Sequence, residues 1–180
     1  MNTVPYILKL VLSSVCLALC MVLPFLTGQI PEIGSMLCPM HIPVLLCGFL
    51  CGPAWAALVG AIAPLLRFAL FGMPPLFPVG TAMCFELAVY GLVSGMLYRL
   101  LPRRATSIYT ALIGAMLCGR IVWGVVRVIL SGVSGAAFTW SLFIAGAFTQ
   151  AIPGIILHIV LIPMIVMAMQ RALPWLKAGR

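Results

Sequence analysis

The chain breaks into apolar runs divided by short stretches of proline and glycine, and this punctuation constrains the fold more than any motif does. The runs are Val4–Thr27, His41–Cys51, Ala54–Phe71, Thr81–Leu100, Ile108–Leu130 and Trp140–Met169. A helix that crosses a bilayer needs about 20 mostly apolar residues. All the runs except the second meet or approach that length. The breaks read GQIPEIGSMLCP, GP, GMPPLFPVG, LPRR and SGVSG, which is turn chemistry and leaves no room for a polar domain. The expectation is an all-α integral membrane protein. It is a single domain over residues 1–180, with six transmembrane helices in one compact bundle and a short second helix.

Composition agrees with this reading. Of the 180 residues, 64% are hydrophobic and 7% charged, with a mean hydropathy of +1.27. A soluble domain carries about 25% charged residues, so too few polar side chains remain here to coat a surface facing water. The net charge of +8 sets ten Lys and Arg against Glu32 and Glu86 alone. These cations form no basic run with interleaved polar residues, so they set topology and imply no nucleic acid. Arg99, Arg103 and Arg104 lie between spans four and five, Arg171, Lys177 and Arg180 follow span six, and Lys9 lies near the start of span one. With six spans all of these fall on one side, which the positive-inside rule makes cytoplasmic, with both termini inside. The outer loops, 28–40, 72–80 and 131–139, then hold one acidic residue and no lysine or arginine. The run from Leu10 to Leu26 is long for the core of a signal peptide, and no small-x-small cleavage site follows before Gly28. It reads as a retained first span. The seven cysteines form no CxxC; Cys16 with Cys20, and Cys47 with Cys51, sit one helical turn apart in apolar runs. They read as small hydrophobes, with neither a metal site nor a disulfide framework.

Ionisable residues inside spans are costly and face a bundle interior or a cavity. This chain has Arg67, Glu86, Arg120 and Arg127. The topology puts Arg67 near the outer end of span three and Glu86 one turn inside the outer surface. Arg120 falls near mid-membrane and Arg127 in the outer third. Arg120 and Arg127 are seven residues apart, a rotation of about 700°, so they share a face, with Trp123 and Gly124 between them. Glu86, Tyr90 and Ser94 form a stripe on span four, and Gln150, Pro153, Gly154 and His158 another on span six. Two readings stay open. In one the charges only glue helices, with Arg67 and Glu86 adjacent enough to pair, which leaves Arg120 and Arg127 without evident anions. In the other, an aromatic ring between two arginines lines an outward pocket for a small, polar, anionic molecule. His158 reads as a hydrogen-bonded core histidine outside that site. His41, at the head of the short second span, either contacts the ligand or bonds loop backbone.

No HExxH, EExxxR, GxSxG or Walker lysine loop occurs, and the chain has no aspartate. This argues against membrane proteases and acid–base enzymes. Active transport by such a chain draws its energy from a partner or a gradient. The two halves show no internal repeat of the kind many secondary transporters carry.

The phrase HIPVLLCGFLCGPAWAALVGAIAPLL resembles the second and third spans of the S components, the substrate-binding subunits of energy-coupling factor (ECF) vitamin transporters. FELAVYGLVSGMLYRL resembles the fourth span of several such subunits. Length, span count and inside termini extend the resemblance over nearly the whole chain. It implies vitamin capture near the outer face, with the loop after span one acting as a lid. It also implies docking on a transmembrane T component driven by two ATPase subunits, and a subunit that topples in the membrane to deliver its cargo. The docking pair would be Ser14 and Ala18, where the family usually has two alanines. The location implied is the plasma membrane of a prokaryote, in contact with lipid, with no cofactor and no catalytic residue.

Fold alone does not name the vitamin. The substrate-binding candidates are Arg120, Trp123, Arg127, Glu86, Tyr90, Gln150, Arg67 and His41. Paired arginines offer a planar donor fork to a carboxylate, which suits pantothenate first. Glu86 with the aromatics suits a pyridoxine-like or hydroxymethylpyrimidine-like ring second. The alternatives are a stand-alone gradient-driven carrier, a membrane enzyme or a scaffold.

Overall fold

The computed structural model describes residues 5–27, 30–102, 104–134, 139–146 and 151–172. Among them there is no strand. The helices are α1 (Tyr6–Val22), α2 (Pro31–Leu37), α3 (His41–Leu50), α4 (Pro53–Phe71), α5 (Thr81–Leu100), α6 (Ala105–Ser134), α7 (Trp140–Ile144) and α8 (Ile152–Ala172). Among the described residues, five helical segments are long and apolar enough to cross a membrane, and α3 is a shorter apolar helix. In the most apolar 18-residue window of each long span no more than 33% of the residues are buried inside the protein. Large apolar side chains on every one of these spans are exposed, among them Val11, Leu65, Phe85, Ile121 and Val160. In a membrane that surface is covered by lipid. The chain is an all-α membrane bundle.

Proline and glycine set the ends of the elements. α1 gives way at Leu23 to a 3-10 turn through Thr27, where Pro24 sits. The loop expected over 28–40 contains a helix, α2, with Pro31 in its first turn, where a missing N–H costs nothing. α2 ends at Cys38 in the left-handed region, φ 47°. Gly52, with φ 99°, makes the turn from α3 into α4, a conformation that suits a residue without Cβ. Of the sixth span expected over Trp140–Met169, the structure describes α7 (Trp140–Ile144) and α8 from Ile152, and residues 147–150 lie outside the described residues. Pro153 explains the start: it fits a first turn but would clash with the preceding turn inside a helix. The fifth span is longer than expected at both ends.

α5 is the hub, packed against α3, α4 and α6; α1 lies on α3 and α4, and α8 touches α2, α3 and α6. α4 runs antiparallel to α5 along a seam of small residues, with Gly60 against Leu87, Ala56 against Gly91 and Pro53 against Gly95. A Cβ on Gly91 would lie 2.5 Å from the Ala56 carbonyl group. Small side chains there let the backbones approach closely. α3 runs parallel to α5, with His41 beside Glu86, Gly48 beside Ser94 and Gly52 beside Arg99. Every α3 residue from His41 to Phe49 is buried. Its 10 residues rise about 15 Å, half of a hydrocarbon core of about 30 Å. The bundle, not lipid, surrounds this short helix. Its first residue therefore sits at the depth of Glu86, below α2.

Candidate functional site

His41 opens α3, Glu86 and Tyr90 share one face of α5 a turn apart, Arg120 lies midway along α6, and His158 stands two turns into α8. These four helices bring all five side chains together in the interior. Glu86 and Tyr90 are each 1% exposed, His41 and His158 each 3%, and Arg120 9%. Gly119 makes room for the Tyr90 ring, which would stand 3.0 Å from a Cβ at that position.

Arg120 Nη1 lies 3.0 Å from Glu86 Oε1, and His41 Nε2 lies 3.5 Å from the same oxygen. Arg120 Nη2 donates to Cys38 Sγ at 3.6 Å. The His41 ring meets Tyr90 edge-on at 5.0 Å between centroids and lies nearly parallel to His158 at 6.0 Å. The His158 ring lies beside the Cys38 backbone. Cys38, at the end of α2, is thus held from below by α6 and α8. Gly154 adds a third contact: a Cβ there would lie 2.6 Å from the Met36 carbonyl oxygen, so α8 packs directly on the end of α2. α2 covers the cluster because these groups hold it there.

The expected pairing of Arg67 with Glu86 is corrected by this geometry. Glu86 pairs with Arg120, which therefore has an anion. Arg67 instead donates to the Met21 carbonyl oxygen at 2.8 Å, and its guanidinium lies 5.3 Å from both the Phe25 and the Phe71 ring centres. It secures the end of α1 to α4, and the reason is reach. Arg67 is near the outer end of α4, where the last turn of α1 presents a carbonyl and the 3-10 turn after it an aromatic ring.

Arg120 and Arg127 also do not form one fork. Arg127 lies over the Trp123 ring at 5.8 Å, and Trp123 stacks with Phe143 of α7. This makes a second cluster, aromatic and cationic, beside the first. Gln150 lies outside the described residues. Ser14 and Ala18 are exposed on α1, on the side away from the buried Ser13, Cys16 and Cys20.

Two members of the central cluster escaped the sequence reading of the site. His158 was signalled by its stripe with Pro153 and Gly154, which does face inward. Cys38 carried no signal, since one cysteine in a loop looks like any other. For His41, the alternative of bonding loop backbone through its ring is not what forms. Its ring nitrogens face Glu86 and the cluster interior, and only its backbone N–H reaches the Cys38 carbonyl.

Five buried polar atoms of this cluster make no hydrogen bond within the protein: His41 Nδ1 and Nε2, Glu86 Oε1, Arg120 Nε and His158 Nε2. Glu86 Oε1 contacts Arg120 as an ion pair without hydrogen-bond alignment. A buried polar atom without a partner costs about 1–3 kcal/mol, so native interiors hold few. Their concentration in one place, under a helix held by the same residues, is what a site for a small polar molecule requires. Among the described residues, no group of three or more His, Cys, Asp or Glu is placed to hold a metal ion.

A family model described as ECF transporter, substrate-specific component matches residues 8–166. No curated protein and no solved structure matches the chain.

Proposed function

We infer that this chain, which belongs to the family of ECF transporter substrate-specific components, captures a vitamin or vitamin precursor at the Glu86–Arg120–His41–His158 cluster. It then delivers the molecule through a T component powered by two ATPase subunits. The family is one of transport subunits and not of enzymes. The observation that carries the assignment to this cluster is the set of five unbonded polar atoms, contributed by four helices and roofed by α2. Tyr90 lends the site an aromatic wall, and Trp123 and Arg127 extend it toward α7. Pantothenate and a pyridoxine-like or hydroxymethylpyrimidine-like ring are the ligand types the residues suggest.

Docking on the T component falls to the exposed face of α1, where Ser14 and Ala18 present little bulk one turn apart. The Ser14 hydroxyl is turned back on its own helix, donating to the Leu10 carbonyl at 2.8 Å, so it offers a partner an almost alanine-like surface. This supports reading the serine as compatible with the docking role. The location that fits is the plasma membrane of a prokaryote.

The test is purification of the protein from its native membrane, with mass spectrometry of bound small molecules and identification of co-purifying subunits. A vitamin-like ligand together with a T component and ATPases is the expected result. Absence of both rejects the reading. Uptake into liposomes holding this chain alone would instead assign it to gradient-driven carriers.

A further inference from the structure

We propose that Arg67 is a latch on the cover of the central cluster. It caps a carbonyl that Pro24 leaves without a backbone donor, and so fixes the hinge between α1 and α2. Access to the cluster is the property at stake, and it is read with no ligand present. A failure would therefore leave the capture reading standing.

The hinge is local. Below it α1 is seated on α3, with Cys20 fully buried and its thiol donating to the Met40 carbonyl oxygen at 3.6 Å. Above it Val22 is 57% exposed and Leu26 79%. The α-helix ends at Val22, and a 3-10 turn covers Leu23–Thr27. In 3-10 geometry a carbonyl accepts from the N–H three residues on. For Met21, at this junction, that residue is Pro24, which has no N–H. Arg67 Nη1 takes the empty place from α4, at 2.8 Å. Its guanidinium also lies 5.3 Å from the ring centres of Phe25, in the turn, and Phe71, at the end of α4. Those two rings meet edge-on at 5.0 Å.

The 3-10 turn touches α2, which starts at Pro31. The cover is thus tied at two ends. At its far end the Cys38 thiol accepts from Arg120, and α8 packs on the Met36 and Leu37 carbonyls. At its near end the tie runs through the turn to Arg67. A backbone donor at residue 24 would lock that end for as long as α1 stays helical. A side chain from another helix lets go while both helices remain folded. Pro24 and Arg67 together make the near end releasable without unfolding α1 or α4. Arg67, a binding candidate in the sequence, is on this geometry a positioning residue that governs how freely molecules reach Glu86 and Arg120.

The test is the rate at which N-ethylmaleimide alkylates Cys38 in the full chain, purified in detergent and dialysed free of small molecules. Peptide mass spectrometry identifies each modified cysteine. The Cys38 thiol sits between the end of α2 and Arg120, so its rate reports opening of the cover. Cys20 and Cys47, both fully buried, report loss of the bundle. Arg67→Met removes a hydrogen bond from a charged donor and should raise the Cys38 rate about tenfold, with Cys20 and Cys47 unreacted. Phe25→Leu removes one ring, keeps that bond and should raise the rate about threefold. Pro24→Ala restores an N–H at residue 24, so combined with Arg67→Met it should return the rate to within about threefold of the parent. The latch is overturned by a Cys38 rate at the parent level in the variants whose Cys20 and Cys47 stay unreacted. A rise at Cys20 and Cys47 that matches Cys38 in both single variants overturns it too, as does a double variant as fast as Arg67→Met alone.

Discussion

Replacing Glu86 by Gln removes the anion that neutralises Arg120 at the centre of the bundle. The two groups stand 3.0 Å apart, with side chains 2% and 11% exposed. At that distance and an effective dielectric of about 20, their attraction is about 5 kcal/mol. Glu86→Gln keeps the shape but leaves a buried guanidinium uncompensated, and Arg120→Met does the reverse to the carboxylate. Breaking a buried pair from one side costs about 3–5 kcal/mol, whereas replacing both partners is close to neutral. Each single variant should therefore lower the melting temperature by about 10 °C, taking about 2–4 °C per kcal/mol for a chain of this size. The double variant should recover to within about 4 °C of the parent. The assay is thermal unfolding in detergent on protein dialysed free of small molecules, so that lost ligand binding does not contribute. The ion-pair reasoning fails if the double variant melts no higher than the weaker single one, because two groups that compensate each other cannot behave additively.

Two further outcomes follow from close backbone contacts. Gly91→Ala drives a Cβ to 2.5 Å from the Ala56 carbonyl group and should cost about 1–3 kcal/mol in thermal unfolding, whereas Gly132→Ala, which meets nothing within 4 Å, should cost no stability. Gly154→Val pushes α8 against the Met36 and Leu37 carbonyls, so limited proteolysis should cut the 30–40 segment faster while the melting temperature changes little; an unchanged cleavage rate would show that α8 does not hold α2 down.

The membrane bundle was legible because lipid imposes length and hydropathy on each span, and those are properties of contiguous sequence. Glu86, Tyr90, Arg120 and His41 stood out as candidates for the same reason, since polar groups at membrane depth are conspicuous, and the structure brings them together. Their pairing was not legible. Glu86 lies on α5, which packs on both α4 and α6, and sequence does not reveal which neighbour turns its arginine inward. Arg67 looked closer in sequence, yet the carbonyl of Met21 and two phenylalanine rings claim it. His158 was expected as a core histidine and is buried; its place beside His41 and Cys38 depends on where α8 starts, which Pro153 sets. Cys38 was invisible: its importance comes from the left-handed turn that ends α2, inside a segment with no periodic pattern.

The short α3 has a consequence for permeation. Below His41, the residues Val44, Leu45 and Cys47 are fully enclosed, and the α4–α5 seam beside them is closed by backbone contact. On the capture reading proposed above, a solute on Glu86 rests at hydrocarbon depth with about 15 Å of apolar helix beneath it. Along α3 the side chains after His41 are apolar apart from the Cys47 thiol, so this helix offers no relay for ions or protons toward the end where Gly52 meets Arg99. On the same reading the cargo does not leave downward past this stopper by side-chain motion alone, and the proposal requires release by the mouth of entry or through a partner that opens the bundle.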